Sequence, residues 1–211
     1  MKHIKMKRIL SRLALLSVAL ILGLVSCKEG SNTIAGHEYV DLGLPSGLKW
    51  ATCNVGATTP EEYGNYYAWG ETISKTEYTK ENCVTYGVDI DSISDNADYD
   101  AARANWGSTW RLPTDPELFE LQDNCIWRWT TQNGVDGMKV IGPNGNSIFF
   151  PAAGYCDSTS KRSVGFAGYY WGGGYGTTYY SPCLECLTYG FGVVSFLMRR
   201  YYGITVRPVS D

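Results

Sequence analysis

Apolar and polar positions alternate in "HEYVDLGL" (37–44) and again in "LKWATCNVG" (48–56), with "PSG" (45–47) between them. Period-two alternation bounded by glycine and proline predicts two strands joined by a turn. A loop dense in tyrosine and glycine follows, "TTPEEYGNYYAWGE", and residues 72–97 are polar and irregular, which predicts a surface excursion. The pattern then changes period. "DYDAARANWG" predicts a short helix, with Asp98 as its cap, Ala101 and Ala104 on one face and Gly107 at its end in a left-handed conformation. "WRLPTDPELFEL" (110–121) predicts a second helix. Thr114 and Glu117 have the spacing of a capping box, in which each side chain satisfies the other's backbone N–H. Leu118, Leu121 and Cys125 recur at helical spacing and predict its buried face. Trp110 is expected in the core, and Arg111 is expected to donate to turn carbonyls. "GMKVIGPNGNSIFFPAAGY" predicts a hairpin turning at Asn144-Gly145, "GYYWGGGYGTTYY" a Gly-aromatic loop, and 183–209 two or three closing strands. The fold class is α+β, two short helices among many short strands.

Charge and cysteine content place this domain in a compartment. Lys2, Lys5, Lys7, Arg8 and Arg12 precede an apolar run over 13–25 that ends in "LVSC". A membrane span needs about 20 apolar residues, so the shorter run fits the centre of a signal peptide. The four-residue ending resembles a bacterial lipobox. The expectation is a signal peptide over 1–26, lipidation of Cys27, a polar tether over 27–36 and a single domain over 37–211. After removal of 1–26, 13 basic residues remain against 21 acidic ones, a net charge of −8. An acidic chain without a basic cluster excludes nucleic acid as the expected partner; the membrane is reached through the lipid. Six cysteines remain, Cys53, Cys83, Cys125, Cys156, Cys183 and Cys186, in an exported chain where disulfides persist. Six cysteines permit 15 pairings, and the sequence does not choose among them.

Candidate chemistry is sparse. His37 is the one histidine beyond the signal, and no strand-turn serine or cysteine motif accompanies it, so no catalytic constellation, cofactor or metal site is assigned. Cys183-x-x-Cys186 lacks both a second pair and a thioredoxin-like helix, so it is read as contributing to disulfides within the domain. Five aspartates in 89–100 invite calcium, but the glycine and terminal glutamate of an EF-hand are missing. What stands out is the interleaving of Tyr169, Tyr170, Trp171, Tyr175, Tyr179 and Tyr180 with glycines that allow close backbone approach. Trp171 is expected in the core. Tyr175, Tyr179 and Tyr180 are the candidate ligand contacts, with Lys161 and Arg162 as polar partners at their edge.

Several of these segments together resemble one family. "HEYVDLGLPSGLKWATCNVGA", "YGNYYAWGET", "NWGSTWRLPT", "NCIWRWTTQNGVDG", "NGNSIFFPAAGY", "GYYWGGG" and "GITVRPV" are similar to the Fibrobacter succinogenes major paralogous domain of Bacteroidota lipoproteins, over nearly all of 37–209. The resemblance implies a C-type-lectin-like fold: two helices, a twisted antiparallel sheet and long loops, with the ligand-facing region near 157–181. It also puts Cys53 and Cys125 on motif positions, where they are expected to approach and bridge. It implies an outer-membrane lipoprotein with a non-catalytic binding or adhesion role toward a glycan or protein ligand. A formylglycine-generating type of enzyme and a structural subunit of a surface complex are the alternatives. The chain departs from the family pattern at Gly172-Gly173-Gly174 and at Cys183-x-x-Cys186, so no relative's ligand carries over.

Overall fold

The computed structural model of the protein describes residues 32–188 and 190–211. Its first strands follow the alternation in the sequence but begin earlier. β1 (Thr33–Ile34) and β2 (His37–Asp41) form a two-residue hairpin, with Ile34 opposite His37. The expected tether therefore loses its last residues to the domain, where the Trp110 indole N–H donates to the Ile34 carbonyl at 2.9 Å. β2 pairs with β3 (Lys49–Ala51), as the turn at 45–47 predicts.

Residues 52–100 hold the irregular excursion. α1 (Ala101–Trp106) starts at Asp100, not at the expected Asp98. Asp98 is exposed. The Asp100 carboxylate is buried and accepts from the amides of Ala102, Arg103, Asp95 and Leu112 at 2.8–3.0 Å. One cap thus ties helix, excursion and the following segment together. Gly107 ends the helix at φ 66° and ψ −155°, a region open essentially to glycine.

α2 (Asp115–Asn124) begins at Thr114 as expected, with the Thr114 amide donating to Glu117 at 2.7 Å. Leu118 and Leu121 are fully buried, whereas Cys125 lies just past the helix and is half-buried. Trp110 is in the core. Arg111 differs from expectation. Its main partners are carboxylates, Glu117 at 2.6 and 2.8 Å and Asp211 at 2.8 Å, and the Leu112 carbonyl is a longer contact at 3.3 Å. The capping role turns Glu117 toward Arg111, so one carboxylate serves both.

A three-strand meander follows: β4 (Ile126–Gln132), β5 (Val135–Ile141) and β6 (Ser147–Pro151). The two-residue type I′ turn lies at Asn133-Gly134, φ 48° and 83°. At the predicted Asn144-Gly145 turn only Gly145 has positive φ, and the Gly145 amide donates to the Gly142 carbonyl at 3.0 Å. Pro143, whose φ is fixed near −65°, sits inside this wider turn. β7 (Tyr155–Asp157) and β8 (Ser160–Arg162) form a short hairpin. The expected Gly-aromatic loop is half strand. β9 (Ala167–Trp171) is buried at every position and pairs with β10 (Tyr180–Leu187), which pairs with β11 (Gly190–Arg199). β12 (Val209–Ser210) returns to β3, with Val209 opposite Trp50. Among the described residues the architecture is sheet-rich α+β with two short helices.

Among the described residues the apolar side chains collect in three clusters. The first joins Trp50, Leu118, Leu121, Val140, Phe150 and Leu184, and the second joins Trp69, Ile93, Leu112, Trp171, Ile204 and Val206. The third is mostly tyrosine, with Tyr66, Tyr78 and Tyr201 buried and Tyr63, Tyr86 and Tyr202 packed against them.

Candidate functional site

The loop between β9 and β10 carries Tyr175 and Tyr179, and Tyr180 opens β10. Tyr175, Tyr179 and Tyr180 are 43%, 49% and 37% exposed. The Thr177 hydroxyl oxygen accepts from the Tyr179 and Tyr180 amides at 3.2 and 3.0 Å, and the Gly87 amide donates to the Thr178 carbonyl at 2.8 Å. The glycines here serve packing rather than ligand approach. A Cβ on Gly174 would sit 2.2 Å from the Asp115 carboxylate oxygens, and one on Gly173 would lie 2.7 Å from Ser94. Asp115 Oδ1 is buried without a hydrogen-bond partner, and burial pushes this carboxyl up from its ordinary value.

From Tyr179 a ribbon of rings runs inward. Centroid separations are 5.1 Å from Tyr179 to Tyr86, 5.2 Å to Tyr201, 4.9 Å to Tyr202, 4.9 Å to Tyr155 and 5.5 Å to Tyr169. Such spacings suit edge and tilted aromatic contact. The ribbon draws on the excursion, β7, β9, the loop before β10 and the segment after β11. Beneath it the Tyr66 hydroxyl donates to the Ala153 carbonyl at 2.7 Å, and the Tyr78 hydroxyl donates to the Tyr66 carbonyl. Burial raises both hydroxyls, Tyr78 to about 12, so both remain proton donors at neutral pH.

The cations divide differently from the expectation. Lys161 Nζ lies 4.7 Å over the Tyr66 ring, and Arg162 stands opposite Tyr155 in the β7–β8 hairpin. They border the far end of the ribbon. The cations beside the exposed tyrosines are Arg199 and Arg200. Arg199 is the cross-strand partner of Tyr180 and donates to the Tyr201 hydroxyl at 2.6 Å. Arg200 lies 5.7 Å from the Tyr175 ring centroid and 4.0 Å from that of Trp69. The Tyr175 hydroxyl donates to Asp89 at 3.1 Å. Neither arginine was singled out in the sequence; "LMRRYY" read as part of a closing strand.

Other groups answer to structure. The His37 ring stacks on Trp106 at 3.7 Å between centroids, and burial lowers its pKa. No disulfide joins the six cysteines of the described residues. Cys183 packs in the second cluster and Cys186 in the first, because a three-residue step along β10 turns the two thiols to opposite faces. They cannot bridge each other in this strand. Cys53 and Cys125, the expected pair, are each half-buried and not joined. Burial raises the Cys83, Cys156, Cys183 and Cys186 thiols and takes Cys125 to about 11, so these thiols are protonated and poor nucleophiles. Among the described residues no cluster of three or more His, Cys, Asp or Glu could hold a metal ion. An open groove of about 340 Å³ is lined by Glu71, Ile73, Lys75, Val84 and Tyr99. Its lysine already engages a carboxylate of the lining, Lys75 with Glu71 at 2.7 Å.

Cys27 and the segment 1–26 lie outside the described residues. Among the described residues no helix is long and apolar enough to cross a membrane. Comparison of the chain with known protein families, curated proteins and solved structures returns no match.

Proposed function

We propose that this chain is a lipid-anchored bacterial outer-membrane protein whose domain binds a glycan or protein ligand without catalysing a reaction. The observation that carries the reading is the part-exposed trio Tyr175, Tyr179 and Tyr180, of which Tyr179 heads the tyrosine ribbon. A tyrosine offers a flat apolar face with a polar tip and few rotatable bonds, so a ligand gains contact at small entropic cost. The rings behind Tyr179 hold it in place before a ligand arrives. The non-catalytic reading is supported by protonated thiols and by a histidine committed to a stack on Trp106.

The C-type-lectin-like identity of the domain belongs to the same proposal. It is supported by the two short helices, the antiparallel sheets and the resemblance over 37–209. Anchoring at Cys27 rests on the lipobox-like run alone.

The test replaces Tyr175, Tyr179 and Tyr180 together by alanine in the full-length protein. Each stacked ring contributes about 1 kcal/mol. Loss of three therefore weakens binding about a hundredfold, at about 1.4 kcal/mol per tenfold. Binding is read on a glycan array and against captured surface partners, with an unchanged melting temperature as the folding control. Parent-level binding by the variant removes this face as the site.

A further inference from the structure

Two arginines are buried among the described residues, and the fold treats them differently. Arg207 is 1% exposed. Its Nε donates to Asn54, its Nη1 to the Ala51 and Thr52 carbonyls, and its Nη2 to the Phe149 carbonyl, all at 2.8–3.1 Å. Every nitrogen of that guanidinium has a partner. Arg200 is 0% exposed. Its Nε donates to Ser181 at 3.0 Å, and its Nη1 donates to the Thr85 and Val88 carbonyls at 3.2 and 2.8 Å. Its Nη2 is buried and has no partner. The same fold that satisfies one buried guanidinium leaves the other with an open edge.

A buried, unpartnered donor on a full charge is destabilising, and an anion that reaches it recovers that loss. The surroundings of Arg200 suit such an arrival. Trp69 forms one wall, with its ring centroid 4.0 Å from the guanidinium. Main-chain bonds fix Arg200 between Trp69 and Tyr179: the Trp69 amide donates to the Arg200 carbonyl, and the Arg200 amide donates to the Tyr179 carbonyl. On the exposed side the contact is Tyr175, held by its hydroxyl bond to the exposed Asp89. A single exposed hydrogen bond is a weak latch.

We infer that Arg200 is a closed carboxylate-binding site of the tyrosine face, covered by Tyr175, and that the ligand it takes is an acidic sugar of the uronic acid class. This rests on the reading that the tyrosine face binds a ligand. The unpartnered Nη2 can give a carboxylate oxygen a charge-assisted hydrogen bond, stronger than the bond a neutral acceptor receives. The part-exposed ring of Tyr179, whose carbonyl accepts from the Arg200 amide, offers a flat face for the sugar ring. The net charge of −8 beyond the signal discourages indiscriminate anion capture, so selectivity comes from the sugar contacts.

The test is calorimetric titration of the full-length protein with a galacturonic acid trimer, its fully methyl-esterified form and acetate. The acid trimer is expected to bind at least tenfold more tightly than the neutral ester, with acetate far weaker than both. Tyr175→Phe keeps the ring and removes the latch to Asp89; it is expected to tighten the acid trimer severalfold relative to the ester. Arg200→Met is expected to erase the preference for the acid. If Arg200→Met fails to fold, the Tyr175→Phe result decides. Equal binding of acid and ester, both lost in the triple tyrosine variant, overturns the Arg200 site while the tyrosine face stands. No binding of either sugar, or acetate binding as well as the trimer, overturns the sugar class. An unchanged acid affinity in Tyr175→Phe overturns the cover.

Discussion

The first and third clusters bury their aromatic rings by opposite means. Around Phe150 the neighbours are Trp50, Trp127 and Tyr170, with ring centroids at 6.2, 6.3 and 4.8 Å, inside a shell of leucine and valine. Around Tyr201 the neighbours are tyrosines whose hydroxyls must find carbonyls, cations or water. The first solution closes on itself. The second always ends at a polar tip, so it can run out to the surface as it does through Tyr86 and Tyr179. The lesson is that the tyrosine cluster gives up some burial and gains a surface continuous with the interior, the condition for a preorganised contact face.

Substitutions should separate the two clusters in a graded way. The largest effect is expected for Phe150→Ala, which opens a cavity and removes the ring 4.7 Å beneath the Arg207 guanidinium. A loss of about 3–5 kcal/mol is the range for such truncations, read by denaturant unfolding. Glu117→Gln comes next, since it breaks the pair with Arg111 and weakens the cap of α2; the expected loss is about 1–3 kcal/mol. Burial pushes the Glu117 carboxyl up, but Arg111 and the Thr114 amide outweigh this and hold it below its ordinary value. The unfolded chain therefore binds the proton more tightly. Glu117's contribution is present above the unfolded value of about 4.3 and lost as pH falls through the lower folded value. Stability measured from pH 6 down to pH 3 should fall less steeply in Glu117→Gln than in the parent.

Within the tyrosine cluster the effects should be smaller. Tyr66→Phe keeps the ring and removes the donor to the Ala153 carbonyl, an expected loss of about 0.5–1.5 kcal/mol. Tyr179→Ala is expected to change stability by no more than about 0.5 kcal/mol, the range for exposed positions. A loss at Tyr179 as large as that at Phe150 would mean that the ribbon is core and not contact surface. Thiol alkylation of the denatured, unreduced protein sharpens the same map, since no Cys183–Cys186 bridge should be found.

Local rules carried the fold a long way. Thr114 and Glu117, Leu118 and Leu121, and the alternation over 37–51 each depend on residues within one or two turns, and each reads directly from order along the chain. Asp98 and Asp100 are both able to cap, and only the burial of Asp100 beneath the Leu112 amide separates them. The exposed tyrosines were legible because they crowd into one short segment. The ribbon behind Tyr179 was not, because Tyr86, Tyr155 and Tyr201 come from separate segments and no spacing links them. Arg200 escaped for a related reason. An arginine at the end of a strand looks like a surface cation until Trp69, distant in sequence, is found against its guanidinium.

The pairing of β12 with β3 has a consequence for time rather than for energy. Trp50 meets Val209, and Tyr67 bridges Ile204, so the first sheet and the second cluster both wait for residues synthesised long after their partners. Contacts of such long sequence separation slow folding, since the intervening loop must close before any of them is gained. A chain that passes residue 140 with the hairpin β4–β5 complete still has its first sheet open. The first sheet therefore closes late, once Val209 and Ser210 have been made.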